Sequence, residues 1–266
     1  MNNNKPKIGL ALGSGGARGL AHIGILKVLE KHDIKIDYIA GSSIGAIIGG
    51  FYASGSDVER IEKFALGANR RSIFSLIDLK LKCGLIGGKK IEELIDAKLK
   101  VKEFENCKIP FSAVATDLKT GEVVLFDKGD LTSAIRASIS IPLVFKPMEL
   151  DGRILADGGL SEPVPVKTVR EMGADIVIAV NLDGYICSEN WTSRWFVIAD
   201  NSFSILRHHL ALSGTRSADI VIDVGLGQDY WYEFINGRDK IEAGERVMEE
   251  NIIRLQELIE KGVEEK

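Results

Sequence analysis

The chain contains 266 residues, of which 45% are hydrophobic and 27% charged, with a formal net charge of −4 at pH 7. This composition is typical of a globular protein and excludes a disordered chain, a collagen-like repeat and a disulfide scaffold. The acidic balance provides no basic field, so no nucleic-acid partner is expected. The 28 glycines are unevenly placed, and eleven of them lie between Gly9 and Gly55.

The cysteines and the apolar runs indicate in which cellular compartment the protein is expected. Cys83, Cys107 and Cys187 are odd in number and widely spaced, which indicates neither a disulfide framework nor a metal cluster and fits a reducing compartment. The polar first residues do not resemble a signal peptide. The most apolar stretch, 39–53, is shorter than the roughly 20 residues of a membrane span. The sequence therefore predicts a cytoplasmic protein, and contact with a membrane surface stays open.

The predicted elements alternate from the N-terminus. Hydrophobic runs predict buried strands, and apolar residues at helical spacing predict helices. In the first half, strands are expected at 8–12 and 36–40, and helices at 20–31, 44–53, 57–66 and 89–100. Two strands at 111–116 and 122–126 flank a turn, and a short helix at 130–138 and a strand-like run at 153–156 follow.

The second half continues the alternation. Strands are expected at 175–181 and 219–224, separated by a long amphipathic helix at 195–212. A last helix is expected at 239–261, with Gly262 as its C-terminal stop. The pattern predicts an α/β fold of one domain, with a mainly parallel central sheet sandwiched between helices.

A glycine-rich loop, Gly13-Ser14-Gly15-Gly16-Ala17-Arg18-Gly19, separates the first strand from the first helix. Backbone N–H groups at such a helix start attract anions. The loop does not complete the G-x-G-x-x-G dinucleotide fingerprint, and it lacks the lysine of a P-loop. A transient oxyanion formed during acyl transfer is the remaining anion. A simple tight turn is the alternative.

A second cluster, Gly41-Ser42-Ser43-Ile44-Gly45, has the form G-x-S-x-G and also lies between a strand and a helix. This is the context of a nucleophile elbow, in which a sharp turn exposes the serine hydroxyl. Gly41 and Gly45 would prevent clashes with neighbouring elements. Ser43 is therefore the candidate nucleophile, and a role as helix cap is the alternative.

A serine nucleophile needs a base. His22 shares a helix face with apolar residues, which favours a packed residue, and His32 lies at a charged helix end. His208 and His209 would complete the chain order Ser, Asp, His of an α/β-hydrolase triad, but they fall inside a helical pattern rather than in a loop after a strand.

The sequence Asp157-Gly158-Gly159 offers a better base, because it follows a strand-like run and its glycines permit close approach. A desolvated aspartate that accepts a hydrogen bond from the hydroxyl can act directly as base. Taken alone, an Asp-Gly-Gly sequence is usually a turn.

The three clusters together, in this order, resemble the patatin-like phospholipase family. Three further stretches are similar to its bacterial members: residues 18–24, 115–118 and 136–142. The resemblance covers about residues 7–182, which would form a catalytic core, with 183–266 as an extension of the same domain. Ser14 departs from the pattern, since many family members carry glycine there.

The resemblance implies lipid acyl hydrolysis by a Ser–Asp dyad without histidine, cofactor or metal. Ser43 would be the nucleophile and Asp157 its base. The backbone N–H groups of Gly15 and Gly16, with Ala17, would form the oxyanion hole. Arg18 would steady that loop or attract an anionic head group.

Late aromatic residues are candidates for covering an acyl pocket or touching a membrane, and core or oligomer packing is the alternative. They are Trp191, Trp195, Phe196, Phe203, Trp231, Tyr232 and Phe234. The expected function is therefore a serine hydrolase of phospholipids or lysophospholipids. A hydrolase of another acyl substrate, such as a thioester, and a weakly active lipid-binding regulator stay open, and the sequence carries no signal for an oligomeric state.

Overall fold

The structure, a computed structural model, describes residues 5–67, 87–183, 194–226 and 236–264. Its strands are β1 (Ile8–Leu12), β2 (Tyr38–Ser42), β3 (Phe111–Asp117), β4 (Val123–Phe126), β5 (Met148–Leu150), β6 (Arg153–Asp157), β7 (Ile176–Asn181) and β8 (Ile220–Asp223). Its helices are α1 (Ala21–Lys31), α2 (Ile44–Ala53), α3 (Val58–Gly67), α4 (Lys89–Lys98), α5 (Leu131–Ser138), α6 (Val166–Glu171), α7 (Trp195–Gly214) and α8 (Gly237–Glu264). Short 3-10 turns lie at Gly16–Leu20 and Gly158–Leu160.

The strands form one sheet in the order β5-β6-β3-β2-β1-β7-β8, and β4 also pairs with β3. The pairs β3–β2, β2–β1, β1–β7 and β7–β8 are parallel. The pairs β3–β4, β3–β6 and β5–β6 are antiparallel. The expected α/β fold with a central sheet between helices is confirmed. The sheet has in addition an antiparallel end, of which the sequence indicated the β3–β4 hairpin but not the pairings of β6 with β3 and with β5.

Strands β2 and β6 lie end to end along the same edge of β3. Ser42 of β2 is opposite Val114, and Asp157 of β6 is opposite Ala115, the next residue of β3. The other edge of β3 is taken by β4, which pairs with residues 113–116. Because β2 runs parallel to β3 and β6 runs antiparallel, their C-terminal ends meet, and this brings together two segments that are distant in the sequence.

The alternation of side chains along β1 divides the core into two layers. Leu10 and Leu12 are fully buried on one face, in a cluster with residues of α1, α2 and α8. Ala11 is buried on the other face, against Val169 of α6 and Ala211 of α7. Each buried leucine contributes about 2 kcal/mol by removal of apolar surface from water. The result is a three-layered arrangement of helices, sheet and helices.

The predicted elements lie within three residues of their expected bounds, and β2 and α8 are two that differ. Strand β2 covers Tyr38–Ser42 rather than 36–40, and Asp37 just before it contacts Ile8 of β1 through both its backbone N–H and its carboxylate. Helix α8 does not stop at Gly262 but continues to Glu264. One glycine inside a helix costs only about 1 kcal/mol, and the preceding turns of α8 are held by packing against α1.

Within the described ranges, none of the helices is long and apolar enough to cross a lipid bilayer. Cys107 is a free, half-buried cysteine, and burial raises the pKa of its thiol to about 11, so it stays protonated at neutral pH. Cys83 and Cys187 lie outside the described residues.

Candidate active site

Ser43 occupies a sharp turn between β2 and α2. Its backbone has φ 56° and ψ −121°, a left-handed region that non-glycine residues rarely adopt. The Ser43 N–H donates to the Ser138 hydroxyl at 2.9 Å. A Cβ on Gly45 would lie 2.1 Å from the Leu12 carbonyl oxygen, so only glycine fits there. The turn has the strained geometry of a nucleophile elbow.

The Ser43 hydroxyl donates a hydrogen bond of 2.6 Å to Asp157 Oδ2. Both residues are buried, with 4% and 6% of their surfaces exposed. The other carboxylate oxygen, Oδ1, accepts the Gly159 N–H at 2.8 Å. The Thr116 hydroxyl donates to the Asp157 backbone carbonyl at 2.9 Å. These contacts fix the carboxylate with one oxygen directed at the serine.

Burial raises the pKa of Asp157 to about 6. The hydrogen bonds from Ser43 and Gly159 and the positive charge of Arg207 oppose this rise, and the negative charge of Asp183 adds to it. The carboxyl group is therefore ionised at neutral pH, yet it binds a proton more readily than an exposed aspartate does. That combination suits a general base.

The glycine-rich loop follows β1 and packs against the elbow. Its Ser14 N–H donates to the Pro163 carbonyl, and the Gly15 carbonyl accepts from the Arg18 backbone N–H and from Arg18 Nε. A 3-10 turn begins at Gly16, and the first N–H groups of such a turn have no acceptor within it. A Cβ on Gly19 would lie 2.3 Å from the side chain of Ile44, the residue after Ser43.

A buried ionic cluster lies behind this loop, and the sequence did not reveal it. Arg18 Nη2 and Arg207 Nε both contact Asp183 Oδ1, at 3.3 and 2.8 Å, and the Ser14 hydroxyl donates to Oδ2 at 3.1 Å. The buried contacts of Arg18 favour loop support over capture of a head group. Asp183 follows the C-terminal end of the parallel strand β7, where the functional residues of α/β proteins usually lie. This position is the one feature of the sequence that could have identified Asp183 as a site residue.

The histidines take no part in the Ser43 contacts that the described residues make. His22 is fully buried beside the Gly13 carbonyl, and burial lowers its pKa to about 4, so it is neutral. His32 is half-buried against Glu249. His208 lies on α7 with Nδ1 2.5 Å from the Asp183 carbonyl. This agrees with the expectation that Asp157 is the better partner for Ser43.

The late aromatic residues are only partly described. Trp195 and Phe203 lie on α7 with exposed fractions of 72% and 38%, so core packing does not account for them within this chain. The backbone of Phe196 lies in α7. The others, Trp191, Trp231, Tyr232 and Phe234, lie outside the described residues.

The fold and the site together define a class of protein: an α/β/α fold in which a serine at a strand-to-helix turn is hydrogen-bonded to an aspartate. A family model described as "Patatin-like phospholipase" matches residues 10–170, which include the glycine loop, the elbow and Asp157. The chain belongs to the patatin-like phospholipase family.

Two curated relatives are each similar over about two thirds of this chain. A Mycobacterium tuberculosis (strain ATCC 25618 / H37Rv) protein, named an uncharacterized NTE family protein, is 44% identical over 186 residues, which are 68% of this chain and 51% of that protein. The Homo sapiens patatin-like phospholipase domain-containing protein 6 is 32% identical over 181 residues, 66% of this chain and 13% of that protein. The chain thus matches about half of the first relative's length and a smaller part of the second.

Two solved structures share the fold. VipD from Legionella pneumophila superposes with a TM-score of 0.64 at 12% identity, over 92% of this chain and 66% of that one. ExoU, in its complex with SpcU from Pseudomonas aeruginosa, gives a TM-score of 0.52 at 16% identity, over 98% of this chain and 52% of that one. At these identities the likeness concerns the fold alone.

Proposed function

We propose that this chain is a serine lipid acyl hydrolase that cleaves the ester bonds of phospholipids or lysophospholipids through a Ser43–Asp157 dyad. The observation that carries the proposal is the 2.6 Å hydrogen bond between the Ser43 hydroxyl and Asp157 Oδ2 at a strained strand-to-helix turn. Membership of the patatin-like phospholipase family supports the choice of a lipid ester as substrate.

Acylation begins with the transfer of the hydroxyl proton. As Ser43 Oγ attacks the ester carbonyl carbon, its proton moves to Asp157 Oδ2, and the carbonyl electron pair moves onto oxygen. Collapse of this tetrahedral intermediate breaks the ester bond, and the proton on Asp157 passes to the leaving alcohol. The acyl chain is then bound to Ser43. Water, activated by the same carboxylate, releases the fatty acid and restores the serine.

The developing oxyanion would be held by the backbone N–H groups of Gly15, Gly16 and Ala17. Support comes from the packing of their loop against the residue after Ser43 and from the 3-10 turn that begins at Gly16. Arg18 would hold the loop in place through the Gly15 carbonyl and Asp183. Loss of one donor of this kind typically costs about 3 kcal/mol of barrier.

Hydrolysis of a p-nitrophenyl acyl ester tests the proposal. Ser43→Ala is expected to remove turnover, because the nucleophile is gone. Ser133→Ala on helix α5 is a matched control, since this residue is only half-buried and lies at the opposite end of α5 from Ser138. Full activity in Ser43→Ala would refute the proposal.

Two alternative functions can be tested with the same purified protein. A thioesterase would hydrolyse acyl-CoA in preference to phospholipid in a substrate panel. A lipid-binding regulator would bind lipid but show no covalent labelling by a fluorophosphonate. The strained Ser43 backbone and the buried Asp157 carboxylate both cost stability, and a simple binding protein gains nothing from keeping them.

We also propose peripheral contact with a membrane through helix α7, at the cytoplasmic side. Among the described side chains of this helix, seven large apolar ones are exposed: Trp195, Ile198, Phe203, Ile205, Leu206, Leu210 and Leu212. An exposed apolar surface of this kind on a helix is typical of interfacial binding. The same helix places Arg207 beside Asp157, so a membrane under α7 would lie near the dyad.

We propose the division of the chain into a core at 7–182 and an extension at 183–266 that completes the same domain. Support comes from β8, which continues the sheet beside β7, and from α8, which packs on α1. Asp183 of the extension contacts Ser14 and Arg18 in the glycine loop of the core, and Arg207 contacts Asp183.

A further inference from the structure

We infer that Asp183 and Arg207 are positioning residues for the dyad: they place opposing charges beside Asp157, and the positive charge of Arg207 favours first the Asp157 carboxylate and then the oxyanion. This inference rests on the proposed function and adds two residues from outside the segment that the family model matches.

The geometry joins three separate parts of the chain. Asp183, after β7, is 2% exposed and receives Arg18 from the glycine loop and Arg207 from α7 on one carboxylate oxygen. Its other oxygen accepts the Ser14 hydroxyl. A Cβ on Gly159 would lie 2.9 Å from Asp157 Oδ1 and 3.1 Å from Arg207 Cδ, so the Arg207 side chain passes beside the proposed base.

The positive charge of Arg207 is shared among several acidic groups. Arg207 contacts Asp183 Oδ1 and is also faced by Asp157 and Asp200. Its charge favours the ionised form of Asp157 and so opposes the effect of burial on the pKa of that carboxyl group. In the resting state the arginine therefore stabilises the carboxylate that is to accept the Ser43 proton.

The proton transfer then exchanges one anion for another. When Asp157 takes the proton of Ser43, its negative charge disappears while one negative charge appears on the substrate oxygen. The total charge of the site is unchanged, and the positive charge of Arg207 remains available to the oxyanion. A preorganised charge of this kind stabilises the transition state without reorganisation at the moment of reaction.

The groups that act on the titration of Asp157 come from several elements. The positive charge of Arg207 favours its ionised form, and the negative charge of Asp183 disfavours it. Arg207 is itself faced by Asp183, Asp157 and, on its own helix, Asp200. Polar contacts to Asp157 come from the Ser43 hydroxyl, the Gly159 N–H and, at its backbone carbonyl, Thr116.

The test compares Arg207→Gln with Arg207→Lys in the full chain. The acid limb of kcat/KM on a p-nitrophenyl ester is expected to move up by about 1 pH unit in Arg207→Gln, because a nearby opposite charge lowers a carboxyl pKa by about that amount. Arg207→Lys keeps the charge and is expected to keep the limb of the wild type. Arg254→Gln is the control, since it removes one exposed positive charge from α8.

A second measurement does not depend on activity. Titration of the Asp157 carboxyl carbon by 13C NMR, assigned through Asp157→Asn, should show the same upward shift in Arg207→Gln. Asp183→Asn should shift the titration downward, since it leaves Arg18 and Arg207 with less negative charge. If Arg207→Gln does not fold, the inference is tested by Asp183→Asn alone, in which the pKa of Asp157 should be lower than in the wild type.

Two results would overturn the inference: an Asp157 titration in Arg207→Gln that coincides with that of the wild type, or an equal shift in Arg207→Lys. Lack of turnover by the wild-type chain would instead refute the proposed function. The NMR titration would still decide the role of the cluster in that case.

Discussion

The Ser43 hydroxyl is hydrogen-bonded to Asp157, 114 positions further along the chain. The two residues meet because β2, which ends just before Ser43, and β6, which ends at Asp157, lie end to end on one edge of β3. Ser42 and Asp157 pair with consecutive residues of β3. The elbow and the aspartate are therefore held by backbone hydrogen bonds of the same strand. A change in the register of either strand would separate the hydroxyl from the carboxylate.

The pH dependence of activity should follow the ionisation of Asp157. Only the carboxylate can accept the Ser43 proton, and burial raises the pKa of this group to about 6. We expect kcat/KM on a p-nitrophenyl ester to rise with pH through about 6 and to level off above it. The measurement is a pH profile of initial rates at constant ionic strength. A profile that is flat down to about pH 4, the ordinary value for aspartate, would contradict this.

Asp157→Asn should stabilise the protein while it removes activity. The folded state raises the pKa of Asp157 above its unfolded value, so the folded state binds the proton more tightly. Stability from this group is fully present below the unfolded pKa and is lost as pH rises through about 6. At neutral pH the buried carboxylate thus carries a cost, and the neutral amide should recover about 1–3 kcal/mol.

Thermal denaturation at neutral pH measures this gain. The exposed Asp127→Asn is a matched control that changes the net charge equally. A lower melting temperature for Asp157→Asn than for the wild type would show that the buried carboxylate contributes net stability.

Gly45→Ala should destabilise the fold as well as the site. The added methyl group would lie 2.1 Å from the Leu12 carbonyl oxygen, so β1 and the elbow would have to separate. We expect a loss of at least about 2 kcal/mol in unfolding free energy by urea denaturation. Gly225→Ala is the control, because a Cβ there meets open space. Equal stability of the two variants would show that the elbow can expand at no cost.

Charge on helix α7 should weaken binding to lipid vesicles. Leu206 is 61% exposed on α7, and Ile253 is 67% exposed on α8, so the two offer a matched pair. If α7 enters the interface, Leu206→Glu should lower vesicle binding by about tenfold or more, since burial of a leucine side chain is worth about 2 kcal/mol. Ile253→Glu should bind like the wild type in sedimentation with phosphatidylcholine vesicles. Equal binding by all three proteins would exclude contact through α7.

The parallel part of the fold was predictable because its signals are local. The runs 8–12 and 44–53 were expected with the bounds that the structure gives them, since hydrophobic runs end at glycines there. The antiparallel end was harder to foresee. Strand β5 has only three residues, Met148–Leu150, too few to show a pattern of alternating hydrophobic residues. The Asp151-Gly152 turn that joins it to β6 is nevertheless a typical hairpin sequence.

In the candidate active site, the motif residues could be predicted from the sequence, but the residues that surround them could not. Ser43 and Asp157 were identified from glycine patterns at strand ends, and the structure brings them together. Their roles in chemistry stay predictions, as does the oxyanion hole of the glycine loop. Asp183 and Arg207 carry no local motif, because their contacts join the glycine loop, the end of β7 and α7, which are far apart in the sequence. Ser138 was likewise unforeseen, since its hydroxyl meets Ser43 only through tertiary packing.

Covalent labelling by a fluorophosphonate probe tests the Ser43–Asp157 dyad most directly. The wild-type chain should be labelled at Ser43, as located by peptide mapping. Labelling should be lost in Ser43→Ala, greatly reduced in Asp157→Ala and retained in His208→Ala, because an aspartate and not a histidine activates the hydroxyl. Labelling that persists unchanged in Asp157→Ala, or that disappears in a folded His208→Ala, would contradict the dyad.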